Sequence, residues 1–123
     1  MICIKIKMEG GLSGSKTRTY SRYSTDAALL LGRLIRLGRK ERKMTAQEVA
    51  ERAGISRGTV QRIEAGNLKC EIGLIFEVAV IVGVNLFDSD ISALGRSIES
   101  TSDKIALLPK SIRKKQKAVD DDF

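Results

Sequence analysis

The chain has 123 residues, 42% of them apolar and only 4% aromatic, so it is long enough for one small domain whose core rests on Leu, Ile, Val and Ala, and it is not a disordered tail. Its formal net charge is +7, and the surplus lies at the ends: residues 1–23 hold five basic residues against one acidic, residues 104–117 hold six against none, and residues 24–103 hold eleven of each. With no histidine and only Cys3 and Cys70, neither at metal-ligand spacing, the composition argues against a metal centre and a disulfide framework and for reduced thiols in a cytoplasmic protein.

The first residues, "ICIKIKM", alternate apolar Ile2, Ile4 and Ile6 with other residues, the period of a short strand or of a disordered start. No continuous apolar run and cleavage site mark an export signal. "EGGLSGSKTRTYSRY" follows, rich in glycine and hydroxyl groups, and reads as a flexible basic arm that completes a segment 1–23. Basic arms of this kind suit a polyanion, because binding releases condensed counterions.

From Thr25 the pattern is helical, with Ser24 or Thr25 as cap and a broad apolar face of Ala27, Leu30, Leu31, Leu34, Ile35 and Leu37 running to about Lys40. Arg33, Arg36, Arg39, Lys40, Arg42 and Lys43 make its other side basic, with Glu41, Glu48 and Glu51 as ion-pair candidates. Thr45 and Glu48 form a capping box before "TAQEVAERA", a helix whose Val49, Ala50 and Ala53 face inward and which Gly54 terminates. Ser56 caps the next helix, "RGTVQRIEA", where Val60 and Ile63 share one face. A fourth helix, roughly Glu71 to Val82, is apolar on more than one face, which points either to a second subunit at Val80 and Ile81 or to a central place in the bundle. Its apolar run is too short to span a bilayer. "ISALGRSIESTSDKIALLP" predicts a fifth helix with an interruption around Ser100 to Ser102 and a stop at Pro109, so the domain spans 24–108 and a charged arm occupies 109–123.

Two short helices joined by a tight turn at Gly54, Ile55 and Ser56 have the form of a helix-turn-helix, whose second helix enters the major groove of DNA. With Val60 and Ile63 inward, the outward side and first turn display Arg57, Gly58, Thr59, Gln61 and Arg62. Arginine pairs with guanine O6 and N7, and glutamine with adenine N6 and N7. Thr45 and Ser56 are first of all helix caps, and the backbone donors beside them can also meet phosphate.

"LGRLIRLGRKERKMTAQEVAERAGISRGTVQRIEAGN" and "FEVAVIVGVNLFD" together resemble the XRE, or lambda-repressor-like, helix-turn-helix family over roughly Leu31 to Phe87. The resemblance implies an all-α, five-helix domain that binds double-stranded operator DNA as a homodimer. By position it implies base contacts at Arg57, Gly58 and Arg62, groove-edge or backbone contacts at Thr59 and Gln61, and phosphate contacts at Asn67 and Lys69, to which the helix starts at Thr45 and Ser56, and Gln47, add further phosphate candidates. Two departures stand out. Ala46 follows the capping threonine where many members carry Gln, with Gln47 one place later, and Gly58 occupies a position that often bears a reading side chain.

"CEIGLIFEVAVIVGVNLFDSD" and "LLPKSIRKKQKAVDDDF" are similar to HipB-like members, antitoxins paired with HipA-like kinase toxins. That similarity implies a repressor of a toxin-antitoxin operon with a kinase-binding surface separate from the groove-reading helix, or a regulator in a three-part system with a third small protein; Val80 and Ile81 stand as a dimer or partner surface. The rival expectation is an interaction module that restrains the kinase, with DNA binding secondary. Enzymatic function and a cofactor are not expected: the chain has no phosphate-cradling glycine loop, and its carboxylates are scattered over helices.

Overall fold

The computed structural model describes residues 18–87 and 90–112. Among the described residues it contains five helices and no strand: α1 (Arg22–Glu41), α2 (Ala46–Ala53), α3 (Arg57–Glu64), α4 (Ile72–Val82) and α5 (Ile91–Ala106). The chain divides after Leu86 into two compact units, the first holding α1 to α4 and the second holding α5. The short strand considered for "ICIKIKM" and most of both charged arms fall outside the described residues.

Helix α1 begins before Thr25, because Ser21 is the cap and its Oγ accepts the Ser24 N–H at 3.1 Å. Arg22 then pairs with Asp26 one turn on, at 3.1 Å. These first residues are polar or exposed, so hydrophobic periodicity gives no sign of the extra turn. The apolar face also splits. Leu31 and Ile35 join the core, while Leu30, Leu34 and Leu37 stay exposed. The rotation of the helix is set by Gly32, where an added Cβ would lie 2.6 Å from the carbonyl oxygens of both Ile63 and Glu64. Only a residue without a side chain lets α1 approach the end of α3 so closely.

The capping box at Thr45 forms as its spacing predicts: Thr45 N–H donates to Glu48 Oε1 at 2.8 Å, and Glu48 N–H donates to Thr45 Oγ1 at 3.0 Å. Helix α2 stops at Gly54 in the left-handed region (φ 74°), with the Ile55 N–H returned to the Ala50 carbonyl at 3.0 Å. Two residues later Ser56 caps α3, its Oγ accepting the Thr59 N–H at 3.1 Å. The turn therefore closes in three residues because each neighbouring helix end has its backbone groups satisfied locally.

The core is Ile35, Val49, Ala50, Val60, Ile63, Val78, Ala79 and Val82, all aliphatic, drawn from α1 to α4. Around it pack Leu31, Met44, Ile55, Cys70, Leu74 and Ile81, among others. Helix α2 packs on α3 and α4, and α1 on the same two helices from its own side. Helix α4 thus packs on α1 and α2 in the first unit, yet Ile72 and Val80 remain exposed on it.

In the second unit, Asp90 caps α5 by accepting the Ser92 N–H at 3.1 Å. The helix runs without a break through Ser100, Thr101 and Ser102, contrary to the interruption expected there. All three are exposed, so water serves their hydroxyls and leaves the helical backbone bonds uncontested. It ends at Leu107, two residues before Pro109.

Candidate nucleic-acid interface

The candidate reading element is α3, eight residues long and buried through Val60, Ile63 and Glu64. Isolated helices of this length do not persist in water. Its neighbours hold it, and its C-terminal end most firmly. Arg39 of α1 grips the Glu64 carboxylate with two bonds, Nε to Oε2 at 2.6 Å and Nη2 to Oε1 at 3.0 Å. Arg39 Nη1 also donates to the Met44 carbonyl at 3.0 Å, and Arg33 Nη1 donates to the Glu64 carbonyl at 2.7 Å. With side chains only 12% and 7% exposed, the Arg39–Glu64 pair is a buried one. The hydrogen bond to Glu64 raises the Arg39 pKa above its usual value although burial opposes it, so the guanidinium stays charged throughout the working range of pH.

This brace is absent from the sequence expectations, which offered Glu41, Glu48 and Glu51 as partners for the basic residues of α1. The partner is instead Glu64, 25 positions from Arg39. The one available signal was an acidic residue following Ile63 on the side of α3 that turns inward.

At its other end α3 is open. Arg57 and Gln61 are exposed, Gly58 and Thr59 half-buried. Ser56 Oγ and Thr59 Oγ1 lie 2.9 Å apart, and Arg62 Nη2 donates to Thr59 Oγ1 at 3.0 Å. The Arg62 guanidinium therefore lies back along the helix toward its first turn, where a Cβ on Gly58 would stand 3.7 Å from Nη1. Gly58 offers no base-reading side chain, and the space above it is occupied by Arg62.

Arg62 and Thr59 also line a cleft of about 290 Å³ together with Asn67, Lys69, Cys70 and Glu71 from the loop between α3 and α4. Asn67 Oδ1 accepts the Lys69 N–H at 2.7 Å, a local turn that shapes this loop. Burial raises the Cys70 pKa, with the Arg62 charge opposing, so the cleft presents a protonated thiol at neutral pH. Two residues expected at phosphate, Asn67 and Lys69, are thus beside two expected at bases or the groove edge, Thr59 and Arg62.

The other expected phosphate contacts are on α2 and the caps. Thr45 and Ser56 are exposed, with their hydroxyls used as caps. Gln47 is exposed too, and its Nε2 donates to Glu51 Oε2 at 3.1 Å along α2. Val80 and Ile81 part company: Val80 is 73% exposed, whereas Ile81 packs against the core.

Residues 30–85 match the family model described as a helix-turn-helix domain. The matched span covers most of α1, all of α2 to α4 and the turn after α4. No curated protein matches the chain. Helix-turn-helix domains are DNA-binding units, and their second helix is the one that lies in the major groove. In the matched stretch the corresponding helix is α3. Among the described residues, no cluster of His, Cys, Asp or Glu could hold a metal ion, and no helix is long and apolar enough to cross a membrane.

Proposed function

We propose that this protein is a sequence-specific transcriptional repressor that binds an operator as a homodimer, with Arg57 and Arg62 as the principal base-contacting residues. The observation that carries this reading is the asymmetry of α3: its far end is locked by Arg39 and Glu64, while its first turn offers Arg57 to solvent. A side chain on so rigid a support loses little further freedom when it meets a base edge. Gly58 carries no reading side chain and makes direct readout sparse, so the shape of the site contributes to recognition beside Arg57 and Arg62. Thr59 and Gln61 edge the groove, and Thr45, Gln47, Ser56, Asn67 and Lys69 meet phosphates. Two copies place their α3 helices one DNA turn apart, about 34–36 Å, over an inverted repeat.

The test is selection of bound duplexes from a random pool at fixed salt, with the wild-type chain and with Arg57→Ala. A palindromic motif is expected, and in the variant the preference at one position of each half-site relaxes, with a loss of about 1–3 kcal/mol. Enrichment of no common motif by the wild-type chain defeats the reading.

The resemblance to HipB-like proteins supports a narrower setting, an antitoxin that represses its own operon and binds a HipA-like kinase, with or without a third small protein. A second reading, an interaction module whose main task is to restrain that kinase, is favoured by the exposed Ile72 and Val80 on α4. The two separate in a kinase assay. If restraint is the main task, saturating protein suppresses kinase autophosphorylation and Val80→Asp relieves the suppression; an unchanged rate at saturation eliminates direct restraint.

A further inference from the structure

On the outward side of α3, Arg62 follows Gly58 by one turn of the helix, and long helical side chains lean back toward the N-terminus. Its guanidinium takes that course: Nη2 donates to Thr59 Oγ1 at 3.0 Å, and Nη1 stands 3.7 Å from where a Cβ on Gly58 would lie. Thr59 Oγ1 in turn lies 2.9 Å from Ser56 Oγ, which accepts the Thr59 N–H at 3.1 Å. Two hydroxyl groups thus moor the arginine to the cap of its own helix.

We infer that Thr59 is a positioning residue for Arg62, holding its guanidinium over Gly58 so that the arginine reads the base pair faced by the first turn of α3. The inference rests on the proposed base contact of Arg62. A guanidinium has two edges that each present a pair of parallel N–H donors, Nε with Nη2 and Nη1 with Nη2, and the two hydrogens of Nη2 belong one to each edge. The bond to Thr59 occupies one of these hydrogens, so one edge stays whole for the O6 and N7 of a guanine. An unmoored arginine loses the freedom of several rotatable bonds when it meets a base. Here much of that ordering precedes the contact.

Gly58 keeps the place open. A Cβ there, 3.7 Å from Arg62 Nη1 and 3.8 Å from Ser56 Oγ, would make ordinary contact, so alanine fits, whereas the outer atoms of a longer side chain would compete with the guanidinium for one space. The outward position that has no side chain of its own is served by a side chain from the next turn.

Two measurements on the full chain test this. In the free protein, nitrogen NMR relaxation of the Arg62 Nε–H group reports its fast motion. The wild-type chain and Thr59→Ser keep the group ordered. Thr59→Val preserves the branched shape without the hydroxyl, and its order parameter falls below about 0.6 while the thermal melt stays in place. On DNA, the probe is the duplex that the wild-type chain enriches from the random pool, with its single-base-pair variants, at fixed salt. Arg62→Ala loses about 5- to 150-fold of discrimination at one base pair of each half-site. Thr59→Val loses ~2- to 10-fold at that same base pair, and Thr59→Ser restores it. In an Arg62→Ala background, Thr59→Val changes nothing further.

Losses that add in the double variant show a contact of Thr59 itself with DNA and overturn the inference. An undiminished order parameter in Thr59→Val, or no recovery in Thr59→Ser, overturns it as well. A motif that loses one position in Arg62→Ala and is indifferent to Thr59→Val defeats the positioning role and leaves the repressor reading standing. Enrichment of no motif by a chain whose Arg62 is ordered through Thr59 defeats the repressor reading and the reading role together, and leaves only the mooring.

Discussion

Helices α3 and α5 differ in a way that runs against their lengths. The eight residues of α3 include three that are buried, and the sixteen of α5 include none. In an isolated chain the longer helix is the better able to persist. Here the shorter one is the more firmly held, because Val60 and Ile63 enter the core while Arg39 and Arg33 bind the atoms of Glu64. Fixity comes from tertiary contact, and α3 has it where α5 supplies only a patterned surface. A helix that must present side chains in a set geometry needs the first arrangement.

The strongest way to break this contrast is Arg39→Ala, which leaves the Glu64 carboxylate buried without its partner. A loss of about 3–5 kcal/mol is expected in denaturant unfolding, a large part of the stability of a small domain. The double change Arg39→Met with Glu64→Leu recovers most of that loss, since the buried charge then goes with its partner. A cost under about 1 kcal/mol for Arg39→Ala denies that the pair holds α3. Gly32→Ala should cost less, about 1–3 kcal/mol, because its methyl group would press on the backbone carbonyls of Ile63 and Glu64 and push α1 away from α3. A neutral Gly32→Ala in thermal melting sinks the close-approach argument. At the small end of the scale stands Ile98→Asp on the exposed surface of α5, which is expected to leave the melt of the first unit where it was.

Much of the first unit is legible in the residues. Thr45 with Glu48, Gly54 and Ser56 are local signals, since a cap or a left-handed turn depends on neighbours within four positions, and all of them form as their spacing predicts. The inward pair Val60 and Ile63, and the outward place of Arg57, follow from the helical period alone. Less legible is the start of α1, whose added turn carries no apolar pattern. The break expected at Ser100 to Ser102 is absent because hydroxyl groups in water do not compete for the helix backbone.

Sequence by itself determined the helices of the described residues, the turn that joins α2 to α3 and the side of α3 that faces outward, because caps, turns and periods act over a few residues. Only the tertiary structure decided which leucines of α1 are covered, that Ile81 packs inward while Val80 does not, and that Glu64 is the partner of Arg39. Those outcomes depend on the rotation and closeness of helices distant in the chain, which Gly32 and the carbonyl oxygens at the end of α3 set together.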